Sequence, residues 1–133
     1  MKKRSLVVAL IAIALSALLG YQYLKVSTLS FDCRNEPLQE IASPEGKYTA
    51  TFFERNCGAT TPYHRIVTLR LTGTRFDPEK HDNWVFVSKG QTCVQLRWID
   101  GHHLDIVSSV NDDNTHKTWG DVEISFSQRS SMP

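Results

Sequence analysis

The sequence predicts a small all-β domain behind one N-terminal apolar helix. Three observations point there. An apolar run at residues 6–24 follows a basic start, Lys2-Lys3-Arg4. The rest divides into short β-branched and aromatic stretches separated by turn chemistry. No stretch after Leu24 repeats its apolar residues with a 3.6-residue period. The expected architecture is an antiparallel meander of about seven short strands, curled into a sandwich or partial barrel.

Residues 1–25 have the charge and hydrophobicity of an export signal. From Leu6 to Leu24 only Ser16 and Gln22 are clearly polar, and about 20 residues at 1.5 Å each span a bilayer core. Tyr21 and Tyr23 lie at the outer end, where amphipathic rings favour the interface, and Lys25 follows them. A small-x-small cleavage site is poorly formed. Ala14-Leu15-Ser16 would cut inside the apolar run, and Leu18-Leu19-Gly20 begins with a bulky residue. An uncleaved, single-pass anchor is therefore expected, with secretion to the periplasm after cleavage as the alternative. The bases stay inside and residues 26–133 lie outside the cytoplasm.

Four of the 15 bases (Lys2, Lys3, Arg4, Lys25) fall in that segment, which leaves 11 against 14 acids, a net of −3. A mildly acidic domain has no electrostatic footprint for nucleic acid. Residues 26–133 suffice for one small domain with its own core.

The domain begins with a turn and a strand at residues 43–54. Pro44 fixes its own φ and Gly46 tolerates a positive one, so Ser-Pro-Glu-Gly is a tight turn. Residues 47–54 then have strand composition, and Cys57-Gly58 closes the strand. Residues 63–72 alternate, with Val67, Leu69 and Leu71 expected on one face and Arg65, Thr68 and Arg70 off it. Residues 74–83 contain Asp77-Pro78 and many charges and are expected to be a loop. Residues 84–88 form a short apolar strand, turned by Lys89-Gly90. In the strand at 92–98, Val94, Leu96 and Trp98 share a face. Asp100-Gly101 is the strongest hairpin signal, and Leu104 and Ile106 resume the apolar face after it. Asn111-Asp112-Asp113-Asn114 is a turn by its Asx content, and Val122, Ile124 and Phe126 form the closing strand.

Of the three cysteines, Cys33 and Cys57 sit beside turn-like or irregular sequence, whereas Cys93 opens a strand. A Cys33–Cys57 bridge is expected in an oxidising compartment, with Cys93 buried and free. Such a loop contributes about 3 kcal/mol in the chain-entropy model. A catalytic or metal-binding thiol is the alternative, but no Cys-x-x-Cys or other close Cys/His pattern supports it.

Catalysis has little to stand on. His103 and Asp105 share a strand face while His102 points away, and no spacing forces a third ligand from His116 or Asp112. A metal-dependent or hydrolytic enzyme using His102, His103 and Asp105 is nevertheless the second reading, and a purely structural envelope protein the third. No Gly-x-Ser-x-Gly turn supports a triad. No metal or other cofactor is expected, and the chain is not expected to be an enzyme. The stretch 55–61 is the candidate binding element: Arg55 and Asn56 at its base, then Cys57, Gly58 and Ala59, with Thr60 and Thr61 beyond. A loop held by a rigid scaffold is where recognition residues concentrate.

Cys33-x-Asn35-Glu36, Ser43-Pro44-Glu45-Gly46-Lys47-Tyr48 and Arg55-Asn56-Cys57-Gly58-Ala59-Thr60-Thr61 together resemble the signature of small bacterial exported proteins of unknown function. Those read SPDGKY and RDCGATT behind a signal or lipoprotein segment. Glu45 and Asn56 stand where that family has aspartates, and no lipid-bearing cysteine follows the apolar run. The resemblance implies a bacterial exported domain and supports the Cys33–Cys57 pairing; it implies no activity. The expected role is an interaction module of the cell envelope, binding a protein or envelope component through Arg55, Asn56, Thr60 and Thr61.

Overall fold

A computed structural model of the chain describes residues 1–27, 32–110 and 116–129. Its contacts divide it into two units, Met1–Asp32 and Cys33–Pro133. In the first, α1 (Lys2–Ser27) is a single helix. It is long and apolar enough to cross a membrane, with mean hydropathy 2.0 over its most apolar window. Apolar side chains from Leu6 to Leu24 are exposed around it, as in helices that face lipid.

The second unit is a β-sandwich. β1 (Arg34–Ala42), β2 (Tyr48–Asn56), β3 (His64–Leu71) and β4 (Trp84–Lys89) form one sheet in the order β1-β2-β3-β4. β5 (Val94–Asp100), β6 (His103–Ser108), β7 (Thr118–Trp119) and β8 (Val122–Gln128) form the other, in the order β5-β6-β8-β7. The core lies between them. Tyr48, Ala50, Phe52, Val67, Leu69, Val85 and Phe86 from the first sheet pack against Leu96, Leu104, Ile106, Val122 and Ile124 from the second. The alternation that exposed these residues in the sequence is the pleat of the strands.

The first sheet is the expected antiparallel meander. The β1–β2 turn forms as predicted: Gly46 has φ 71°, its N–H donates to Ser43 O at 2.8 Å, and Ser43 Oγ accepts from Tyr48 N–H at 3.1 Å. The second sheet departs from the meander, because β6 and β8 pair in parallel. After β6 the chain adds β7 on the far side of β8. Residues 109–121 supply the dozen or so positions that a parallel connection requires. The expected antiparallel pairing is corrected here, because a two-residue period carries no information about strand direction. Two strands were also unanticipated. β1 is a polar edge strand with a register shift at Pro37/Gln39, the position where an edge tolerates proline. β7 has two residues, too few for any period.

Two local expectations are corrected, those for Cys93 and for the faces of β3. Cys93 is exposed and precedes β5. It is out of phase with Val94, Leu96 and Trp98, so the buried residue of this link is Thr92. At Asp100-Gly101 the hairpin forms, but Gly101 does not take a positive φ. Asp100 Oδ1 instead accepts the His102 N–H at 2.8 Å, an Asx turn. On β3, Leu71 is exposed while Thr68 is buried. Arg65 falls on the Val67 side, its guanidinium over Phe52 and 2.7 Å from Glu54. The outer face of this sheet is not simply wet, because residues 72–83 fold back over it. The predicted turn at 111–114 lies outside the described residues.

Candidate functional site

The element nominated by the sequence is built at the open end of the β1–β2 hairpin. Arg34 and Asn56 are the last paired residues, and the Cys33–Cys57 disulfide joins the strands beyond them. Past the bridge the loop bonds to itself. Asn56 Oδ1 accepts the Gly58 N–H at 3.0 Å. Gly58 O accepts both the Thr61 N–H and the Thr61 hydroxyl at 3.1 Å. Gly58 needs its lack of Cβ here, with φ 113°. Thr60 is exposed on the rim.

Arg55 faces elsewhere. It lies on the outer face of the first sheet and donates to Glu79 through two nitrogens, at 2.6 and 2.9 Å, and to Asn35 Oδ1 at 3.1 Å. Its guanidinium lies 5.7 Å from the centre of the Trp84 ring. Hydrogen bonding from Arg55 holds the Glu79 carboxyl below its ordinary pKa. Arg55 thus ties the β3–β4 loop to the sheet, while Asn56 and Thr61 shape the loop after the disulfide and Thr60 is exposed.

The β3–β4 loop is held a second time by aromatics. Phe53 is fully buried on the outer face, with Phe76 edge-on at 5.2 Å and Trp84 at 6.3 Å. His81 packs on Trp84 at 4.1 Å. Held in this way, residues 72–83 wall a cleft of about 600 Å³, within the range of small-molecule sites. Thr68 and Arg70 come from β3, Arg75, Phe76 and Lys80 from the loop, and Trp119 from β7. The Trp119 indole donates to Asn83 Oδ1 at 3.3 Å. β3 continues past its last pairing with β4, Thr68↔Trp84, and the cleft occupies the notch that this leaves. Sequence reading passed over it. The available signal was the length of the connection, since hairpin loops usually have 2–5 residues, together with Phe76 in its middle.

Of the three residues of the enzymatic reading, His102 and Asp105 are bound up in separate networks. His102 Nε2 lies 3.2 Å from Asp121 Oδ2, which also accepts from Lys47 Nζ at 3.1 Å, and the Tyr48 hydroxyl donates to Asp121 Oδ1. Tyr48 and Lys47 together hold the Asp121 carboxyl at a pKa of about 2. Asp105 is buried on the outer face of the second sheet. Burial opposes its charge, but hydrogen bonds from Ser127, Ser125 and Arg97, each 2.8 Å, prevail and keep its pKa low. His103 shares the Asp105 side of β6. Among the described residues no group of three His, Cys, Asp or Glu side chains is placed to hold a metal ion.

The fold and these sites define a class: a disulfide-bonded β-sandwich behind an apolar helix, with a loop rim and a cleft on its surface. Within that class the chain belongs to DUF5412, a family of unknown function, which it matches over residues 2–119. No curated protein and no solved structure matches it.

Proposed function

We propose that this chain is a binding module of the bacterial cell envelope, anchored in the inner membrane by α1 and acting by recognition, not catalysis. The observation that carries this reading is the Cys33–Cys57 disulfide in a domain that directly follows a membrane-length apolar helix. Disulfides persist in oxidising compartments, and the basic start Lys2-Lys3-Arg4 favours the cytoplasmic side. The bound surface is the exposed rim at residues 58–61, supported from below by Asn56 and flanked by the loop that Arg55 holds. A protein or envelope component is the partner. A recognition role is favoured because His102 and Asp105 are each committed to separate hydrogen-bond networks.

Cys93, exposed and unpaired, is a built-in reporter of location. A membrane-impermeant maleimide added to spheroplasts should label it without lysis. Labelling only after lysis would overturn the reading. A photo-crosslinking residue at Thr60 should yield a discrete adduct in intact cells, and the same probe at Glu123, on the exposed face of β8, should not.

A further inference from the structure

We propose that the cleft between the β3–β4 loop and Trp119 binds an organic phosphate: a dianionic head held by Arg70, Arg75 and Lys80, with an apolar body against Phe76 and Trp119. This is a second site on the binding module proposed above, and it uses other residues than the rim.

Charge distribution is the first support. The domain has more acids than bases, 14 against 11 from residue 26 onward, yet the cleft is lined by three bases and one acid, Asp77. That acid is turned back on its own loop, its Oδ1 accepting the Glu79 N–H at 3.0 Å. Among the described residues Arg75 and Lys80 make no ion pair. Every guanidinium on the strands of the first sheet, by contrast, has a carboxylate partner: Arg34 with Glu36, Arg55 with Glu79, Arg65 with Glu54, Arg70 with Glu40. Two unpaired cations beside one cleft in an acidic domain are suited to a ligand with two negative charges.

Arg70 is the second support. One of its terminal nitrogens is 2.8 Å from Glu40, while its Nε is buried and meets no acceptor of the protein. An Nε this buried does not itself meet a ligand, so what Arg70 brings to the cleft wall is a guanidinium fixed in place by Glu40. The third support is the wall chemistry. Phe76 and Trp119 each line the cleft while also packing elsewhere, on Phe53 and Tyr48, and the Trp119 indole N–H is already bonded to Asn83, so what they offer a ligand is apolar area. An inorganic ion would not use these surfaces.

The phosphate could belong to a soluble ester or to a lipid headgroup, and one experiment separates them. Full-length protein in phosphatidylcholine nanodiscs is titrated with phenyl phosphate while the three tryptophan indole N–H signals are followed by NMR. The Trp119 signal should shift and saturate. The Trp98 signal, whose indole donates to Ile41 O and does not line the cleft, should stay in place. Inorganic phosphate should bind at least about tenfold more weakly. The double variant Arg75→Gln/Lys80→Gln, at two exposed positions, should weaken phenyl phosphate by about tenfold or more while leaving the Trp98 signal unchanged. Phosphatidic acid in the disc, a lipid with a phosphomonoester head, should compete if the source is a headgroup and have no effect if it is a soluble ester. Absence of a saturable Trp119 shift, or equal affinity in the double variant, overturns the proposal. Neither result touches the labelling of Cys93, on which the envelope reading is tested.

Discussion

β2 is fastened at both ends by different means. At its end, Cys57 is bonded to Cys33, 24 residues earlier. At its start, Lys47 and Tyr48 reach Asp121, 74 and 73 residues later in the chain, and Asp121 in turn meets His102. The covalent fastening closes a hairpin within one sheet. The polar one joins the β1–β2 turn to two turns of the opposite sheet, at His102 and Asp121. A disulfide acts chiefly on the unfolded chain and is indifferent to pH in the ordinary range. The cluster at Asp121 acts on how the sheets meet and depends on titration. The lesson is that a local crosslink secures one hairpin, whereas closure of the sandwich rests on core burial and a titratable latch.

The strongest break of this comparison is removal of the bridge. Cys33→Ser and Cys57→Ser should each lose about 3 kcal/mol in denaturant unfolding, and the double variant should lose no more than either single one. Clearly unequal single losses would mean that the cysteines contribute separately. Next comes the latch. Tyr48→Phe keeps the buried ring and removes only the hydroxyl that donates to Asp121, so it should cost about 1–2 kcal/mol by thermal or chemical melting.

Acid should distinguish the two ends more sharply. Asp121 has a folded pKa of about 2 against its ordinary 3.8, so the unfolded state binds the proton more readily. Its contribution is fully present above the ordinary carboxylate range and is lost as pH falls from about 4 through 2. Asp121→Asn should flatten that acid limb in part. Asp105 and Glu79, also held below their ordinary values, should preserve the remainder. The Cys33→Ser variant should keep the wild-type slope. A Cys33→Ser profile flattened as much as that of Asp121→Asn would erase the distinction between the ends.

The smallest effect is expected at Gly101. A Cβ there would stand 2.7 Å from Glu45 Cδ, the far end of a flexible side chain that can swing away. Gly101→Ala should cost less than about 1 kcal/mol, and Glu45→Ala should relieve it in a double-mutant cycle. Persistence of the loss in the double variant would place the strain in the backbone.

Much of the fold was legible. The Ser-Pro-Glu-Gly turn, the strand composition of β2, the apolar phases of β5, β6 and β8, and the helix all follow from residue type and period. Cys93 was misjudged although its own phase was visible, out of step with Val94, Leu96 and Trp98. The roles within 55–61 were less legible. Arg55 was chosen for a partner outside the chain, and the structure gives it Glu79, Asn35 and Trp84, all remote in sequence or on another strand. The cleft was invisible for the same reason, since Arg70, Lys80 and Trp119 are assembled by a loop folding back and by β7 joining the far sheet.

The sequence by itself determined what depends on local chemistry: a membrane-length apolar helix, strands with a buried face, turns at proline, glycine and Asx residues. Only the tertiary structure decided that β6 and β8 run in parallel, that Arg55 braces a loop, and that two unpaired cations share a cleft. Side-chain period and turn propensity act over a few residues. Strand direction and charge pairing are set by which distant segments pack together, and no local pattern encodes that choice.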